Sequence, residues 1–325
     1  MARGHKPREG SVSFWPKKRA KNIYSRFRSH KETKETVPLD FAGYKAGMVT
    51  LSFIDTRPEA PTRGAEVYAT GTVLDSPPLV VCGIKIYRKT PYGLAAAKTV
   101  FSERLSKDLK RKTSVPNKIS TKEGIEQVEK MIGSSADVRL LVHTKPREAF
   151  GKKRPELFEV SLGGALAEKW GYAKQKLGNE IKISEVFSAG DLVDVRAVTT
   201  GKGFQGPVKR FGIKVRGRKS NKKFRHLGSL GPITPRRVIP VYLPEAGQMG
   251  FQTRTEYSKM SMLVSSAKER PVTPKKGFRS YGIVSGDYII LRGSVPGPEK
   301  RLVMMRKGIR AHRKTYPVEV RKIVL

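Results

Sequence analysis

GDLVDVRAVTTGKGFQGPVKRFG, residues 190–212, changes character halfway along, and that change decides how the chain is read. In its first half Val193, Val195, Ala197 and Thr199 alternate with Asp194 and Arg196, the period-two pattern of a strand with one apolar face. The second half opens a segment, 201–244, with twelve Lys or Arg and no Asp or Glu. Glycines recur through it, and Phe204, Phe211, Ile213, Phe224, Leu227 and Leu230 are spaced for neither a sustained helix nor a strand. A structureless loop of that length inside a compact domain is either ordered by a partner or disordered. The pattern reads as a basic extension leaving a β body, with its glycines permitting close approach to a folded RNA.

Outward from this point, strand signals dominate. AGMVTLSFID (46–55), GAEVYATGTVLDSPP (64–78) and LVVCGIKIYRK (79–89) precede it, while RVIPVYL (237–243), KMSMLVSSA (259–267), GDYIILRGSV (286–295) and RLVMMRKG (301–308) follow. Between the two groups the pattern turns helical. SERLSKDLKRK (102–112), TKEGIEQVEKMIG (121–133) and GALAEKWGYAKQKLG (164–178) read as helices, DVRLLVHTKP (137–146) as a strand and ISEVF (183–187) as a turn. Thr121 is the expected N-cap of the second helix, with Ile125, Val128 and Ile132 on its apolar face. The expected fold is mainly β with an α/β insertion. Its parts are a basic N-terminal extension (1–37), a first β part (38–94), the insertion (95–185) and a second β part (186–325) carrying the loop 201–237. Short β segments with Gly turns suggest a barrel or a compact double sheet.

Charge narrows the function. The 325 residues carry 66 Lys plus Arg against 28 Asp plus Glu, a formal net charge of +38, while the hydrophobic fraction of 38% still allows a core. Such an excess far exceeds what solubility needs and fits a large polyanion. Residues 1–37 hold eleven Lys or Arg against three acids, with Phe14, Trp15, Ile23, Tyr24 and Phe27 interspersed, as in an arm that folds on a partner. We expect mobility in 1–37 and 201–235 when the protein is alone. No signal peptide or long apolar run is present, so membrane association is not expected.

Catalytic readings find little. Cys82 lies in an apolar run and reads as a buried small hydrophobe. The five His are scattered, and no Ser-His-Asp or paired-carboxylate arrangement has supporting context. GKGFQG is not a Walker loop, because Pro207 and Val208 follow Gly206 and no helix is expected after it. An RNA-acting enzyme and an architectural DNA-binding protein are the rival classes, the second without a recognisable groove-reading motif.

The motifs GSVSFWPKKRA (10–20), FAGYKAGM (41–48), TPYGLAAAKTV (90–100), TTGKGFQGPVKRFG (199–212), HLGSLGP (226–232), GQMGFQTRTE (247–256) and GSVPGPEKRLV (293–303), in this order and spacing, carry a resemblance. The chain resembles the family of the third protein of the large ribosomal subunit, in its archaeal and eukaryotic form. The resemblance implies a structural, non-enzymatic protein that binds large-subunit ribosomal RNA early in assembly. It further implies a β-barrel related to those of translation factors, and a loop that reaches toward the peptidyl-transferase centre beside the N-terminal arm. Neighbouring large-subunit proteins are the implied protein partners, the cytoplasm the implied location, and no obligate homo-oligomer or cofactor is implied beyond RNA-associated magnesium.

Charge, glycine content and the resemblance together assign RNA contacts. In the arm these are Phe14, Trp15, Lys17, Lys18, Arg19 and Lys21. At the start of the loop they are Lys202, Gly203, Phe204, Gln205, Gly206, Lys209 and Arg210. Further along they are Arg216, Arg218, Lys219, Lys222, Lys223, Arg225 and His226, with Arg236 and Arg237 on the return. Arg254, Lys300 and Arg301 complete the set on the second β part. The chain departs from the family at Ile233 in GPITP, where members often carry Trp; Ile neither stacks broadly nor donates an indole hydrogen bond. Gln252 and His226 are the candidates for the methylation that the resemblance implies near the loop.

Overall fold

The structure is a computed structural model and describes residues 11–116, 119–217, 219–220, 223–228, 230, 243–310 and 316–324. Two compact units divide the chain: Met1–Ile23 with Val198–Arg254, and Tyr24–Ala197 with Thr255–Leu325. The chain passes between them three times, after Ile23, after Ala197 and after Arg254.

The larger unit is built on two sheets. Its first strands are β1 (Asp40–Ile54), β2 (Glu66–Asp75), β3 (Leu79–Thr90) and β4 (Gly93–Phe101). Helix α1 (Thr121–Met131), β5 (Asp137–His143), the single-turn α2 (Pro146–Phe150), β6 (Leu157–Ser161), α3 (Leu166–Lys176) and β7 (Glu180–Ile181) follow. Strand β8 (Leu192–Val198) leads into the smaller unit, which holds β9 (Phe204–Gln205), α4 (Pro207–Phe211) and β10 (Gly247–Gln248). The chain returns through β11 (Thr253–Ser266) and ends with β12 (Asp287–Arg292), β13 (Leu302–Lys307) and β14 (Glu319–Val324).

Seven strands pair in the order β13-β8-β11-β12-β2-β1-β14, and β1 also pairs with β13, so the pairing order returns on itself. The length of β1 makes this possible. Its first residues, Asp40–Tyr44, pair with Arg306–Leu302, and its last, Thr50–Ile54, pair with β14, while β2 runs along the other edge. The loop therefore leaves through β8 and re-enters through β11, two neighbouring strands. The second sheet, β4-β3-β5-β6 with β7 on β3, is covered by α1 and α3. Val128, Trp170 and Ala173 are the buried residues of those helices, and Ile125 and Ile132 pack beside them. Inward-facing aliphatic and aromatic residues such as Phe41, Leu51, Ile84, Leu140, Val195 and Ile289 join one continuous core.

Polar groups cross between the sheets too. Tyr44 Oη donates to Thr144 Oγ1 at 2.8 Å and lies 2.5 Å from Glu156 Oε2, and burial beside that carboxylate pushes the phenol far above its ordinary range. The Phe150 ring packs edge-on against Tyr44 and tilted against Tyr281.

Several expectations need correction. Leu79–Thr90, grouped in sequence with the first β part, pairs with β4, β5 and β7 and belongs to the second sheet. An apolar strand pattern reports burial, not sheet membership. Of 102–112 only Lys107–Arg111 is helical, as a short 3₁₀ turn around buried Leu109. Thr121 is the first residue of α1 and not its cap; its hydroxyl donates to Phe101 O. A single-turn helix, α4, does follow Gly206, with Pro207 at its first position and Gly212 at its left-handed end. Asp194, on the polar side of the alternation, is fully buried. Cys82 is buried as expected, its thiol donating to Leu141 O and pushed up to about 12 by burial. Of RVIPVYL, only Leu243 lies within the described residues, and it is buried.

Candidate nucleic-acid interface

The smaller unit brings the arm and the loop together. Thr199 N donates to Gln252 O at 3.0 Å, Lys202 N to Met249 O at 2.9 Å and Met249 N to Gly203 O at 2.9 Å, zipping the two ends of the loop into a hairpin. Pairing of Gln205 with Gly247 and Phe204 with Gln248 continues it. Gly250 makes the turn tight. Its φ is +69°, and a Cβ there would lie 2.0 Å from Thr200 O.

On this base sits a cluster of rings and cations. Trp15 stacks on Phe211 with centroids 5.5 Å apart and planes at 25°. Lys17 Nζ lies 5.4 Å and the Arg210 guanidinium 5.1 Å from the Phe211 centroid. Arg254 covers Phe14 at 4.9 Å, and Arg19 covers Phe251 at 5.3 Å, where Ala20 N also donates to Phe251 O. Arg210 is fixed by carbonyls, donating from Nε to Gln248 O and from Nη1 to Glu245 O. Arg254 is held by Thr253 O and Gln252 Oε1.

Neutral oxygens orient these guanidiniums without cancelling their charge. Burial, then repulsion from Arg254 and Arg210, pushes the Lys17 ammonium below its ordinary value. Burial likewise lowers Arg210, against a partial opposing effect from Glu245, and it lowers Arg254. Three cations held close together in a partly dry setting gain from an incoming anion. A phosphate oxygen bound among them would relieve both the repulsion and the desolvation. The indole Nε1 of Trp15 is buried with no hydrogen-bond partner among the described residues, a further donor in the cluster.

The remaining sequence-assigned residues divide by exposure. Lys18, Arg19, Lys21, Lys202, Gly203, Gly206, Lys209, Arg216, Lys219, Lys223, Arg225 and His226 are exposed, as is Phe204 at 77%. Phe14 is exposed, while Trp15, Lys17 and Gln205 are half-buried, the last donating to Lys202 O. Farther along the loop Arg216 N donates to Phe224 O, and Val215, Phe224 and His226 line an open recess of about 500 Å³ with Lys223 and Arg225. His226 Nδ1 contacts Leu227 O. Arg218, Lys222, Arg236, Arg237 and Ile233 lie outside the described residues. Lys300 and Arg301 belong to the larger unit. There Lys300 N donates to Lys45 O from a left-handed conformation (φ +64°), and burial lowers the Arg301 pKa.

Sequence reading missed the backbone that makes the cluster. Glu245 O, Gln248 O and the Gly250 turn carry no charge signal, although GQMG begins one of the motifs that carry the resemblance. Among the described residues no group of three or more His, Cys, Asp or Glu is placed to hold a metal ion, and no helix is long and apolar enough to cross a membrane.

Comparison with known proteins accords with this geometry. Residues 1–323 match the family described as Ribosomal protein L3. The large ribosomal subunit protein uL3 of Methanothermobacter thermautotrophicus is 46% identical over 317 residues, covering 96% of this chain and 94% of the relative. Those of Methanobrevibacter smithii and Archaeoglobus fulgidus are 42% and 43% identical, covering 97% and 94% of this chain and 95% and 92% of theirs. The chain belongs to the ribosomal protein L3 (uL3) family, structural proteins of the large ribosomal subunit and not enzymes.

Proposed function

We propose that this protein binds large-subunit ribosomal RNA through the arm and loop of its smaller unit. The observation that carries this reading is the packing of Lys17, Arg210 and Arg254 on Phe14 and Phe211, the two guanidiniums oriented by carbonyls and both repelling the Lys17 ammonium. The rings position the cations and the glycines let backbone approach backbone, so phosphates supply the missing counter-charge. Lys202, Lys209, Arg216, Lys219, Lys223, Arg225 and the exposed Phe204 extend the contact along the loop, with Arg218, Lys222, Arg236 and Arg237 continuing it. Lys300 and Arg301 add a contact from the larger unit.

On the same reading the protein joins the subunit early in assembly, and its loop points toward the peptidyl-transferase centre. The reaction there belongs to the RNA, and any magnesium to the RNA as well. The self-returning strand order supports a barrel of the kind found in translation factors. We place the β body in 38–78 and 188–325 and the insertion in 79–187, following sheet membership. The working location is the large subunit in the cytoplasm, among neighbouring ribosomal proteins.

Crosslinking in native extract, with peptides and RNA fragments both identified, tests this. Adducts from 11–23 and 199–230 to large-subunit RNA are the expected result. Adducts spread over unrelated nucleic acids, or a preference for duplex DNA at matched salt, would overturn it.

A further inference from the structure

A second concentration of cations and rings lies in the larger unit, lined by none of the residues assigned above. A groove of about 1260 Å³ is lined by Arg57, Tyr257, Lys259, Arg292, Arg310 and Tyr316 among others. Glu59 also lines it. Its cations are not equivalent. Arg57 is spent on Asp55, which it meets from Nε at 2.9 Å and Nη2 at 2.7 Å, with Thr62 Oγ1 on the same carboxylate. Lys259 lies 2.6 Å from Glu256.

Arg292 and Arg310 have no carboxylate within ion-pair distance among the described residues. Each guanidinium instead lies on a ring, Arg292 over Phe53 at 5.5 Å and Arg310 over Tyr257 at 4.9 Å. Both arginines are exposed. A guanidinium laid on an aromatic face keeps its N–H edge available and loses little freedom when an anion arrives.

Local backbone fixes the arrangement. Ser258, between Tyr257 and Lys259, adopts a left-handed conformation at φ +54°. Its N–H is held at 2.9 Å by Oδ1 of the fully buried Asp194. A non-glycine residue in that region is strained and persists only where its surroundings enforce it. Here the enforcement leaves Tyr257 44% exposed at the groove.

We propose that this groove binds a single-stranded segment of RNA, Arg292 and Arg310 taking phosphates while bases stack on Tyr257, Tyr316 and the Arg310 plane. A charged trough with ring platforms is the arrangement that holds unpaired nucleotides without reading their sequence. An acidic peptide would use the charge and leave the rings idle. The groove is thus a second anchor for nucleic acid, built without residues of the loop or the arm.

The test uses the full-length protein and a short oligouridylate carrying 4-thiouridine. After irradiation, adducts are expected on peptides containing Tyr257 or Tyr316. The double variant Arg292→Ala/Arg310→Ala should cut their yield about tenfold, whereas Lys130→Ala, exposed in the last turn of α1, should leave it unchanged. Arg292→Lys/Arg310→Lys, which keeps charge and fold but loses the planar stack, should restore only part of the yield. That pair, together with Tyr316→Ala, also decides the matter if the alanine variant fails to fold. Absence of adducts on these peptides, full restoration by lysine, or displacement by an oligo-glutamate peptide as effective as unlabelled oligouridylate would each overturn the proposal.

Discussion

Arg306 donates from both Nε and Nη2 to one oxygen of Asp194, at 3.1 and 3.0 Å, and both residues are buried, at 4% and 0% exposure. The pair organises three pieces of chain. Asp194 also accepts from Ser258 N and Ile309 N, while Arg306 lies 4.3 Å from the Phe27 ring and donates to Ser29 O. Removing one partner would leave a buried charge unanswered. Asp194→Ala should destabilise the protein by about 3–5 kcal/mol, and Asp194→Leu combined with Arg306→Met should regain much of that loss. Denaturant unfolding at fixed high salt measures both, and a double variant no more stable than the single would refute the account.

The same contacts bear on the N-terminal extension. Composition alone suggested mobility throughout 1–37, yet Phe27 is buried, Gly163 N donates to Val37 O and Gly164 N to Thr33 O. A Cβ at Gly163 would stand 2.0 Å from Thr33 Oγ1 and 2.6 Å from Glu35 O, so no larger residue fits without moving the strap. The amides of Gly163 and Gly164 should therefore be protected from hydrogen exchange in the RNA-free protein, and Gly163→Ala, which displaces the strap, should abolish the protection of Gly164. Full exchange there in the parent protein would contradict the docked arrangement.

Acid should strengthen one corner of the fold. Burial, with a smaller push from Asp287, raises Asp75 to about 6, although the Tyr281 hydroxyl donating at 2.7 Å opposes the rise. The folded state therefore holds this proton between about pH 4 and pH 6, where the unfolded chain has released it. Stability from this group is full below that window and declines as pH rises through it. Asp75→Asn keeps an acceptor for Tyr281 without the charge. It should match the parent near pH 4 and exceed it by up to about 3 kcal/mol at pH 7. Thermal melts across that range check the sign; a difference that does not grow with pH would remove Asp75 from the explanation.

Two substitutions separate charge from shape at the arm and loop. Lys17→Ala removes one cation while leaving the Trp15–Phe211 stack. It should weaken RNA binding and reduce the slope of log affinity against log salt by about 0.7–0.9. Gly250→Ala leaves every charge in place but drives a methyl into Thr200 O. It should lower RNA affinity without lowering the main unfolding transition of the β body. An unchanged salt slope for the first, or unchanged affinity for the second, would detach these residues from the interface.

How much of this was legible before any coordinates can be seen residue by residue. Alternation around Val193, Val195 and Ala197 located β8, and Ile125, Val128 and Ile132 located α1, because burial of one face is a local, periodic requirement. Leu79–Thr90 is legible as a strand from its apolar run, but its sheet is not, since pairing depends on partners distant in sequence. Asp194 looked like an outward-facing charge because nothing local announces Arg306. In the arm and loop, density makes the lysines and arginines candidates for RNA contact. The carbonyls that aim Arg210 and the positive φ of Gly250 leave no such signal, being properties of backbone geometry rather than of residue type.

The three crossings between the units place a constraint on synthesis. Residues 11–23 leave the exit tunnel long before Val198–Arg254 exist, so Trp15 must wait for Phe211, and Ala20 for Phe251, while β1 to β8 are made. During that interval the exposed rings and cations of the arm have no intramolecular home, a setting in which transient aggregation or premature capture by nucleic acid is favoured. A nascent chain built this way benefits from an escort that shields its first two dozen residues until Val198–Arg254 arrives.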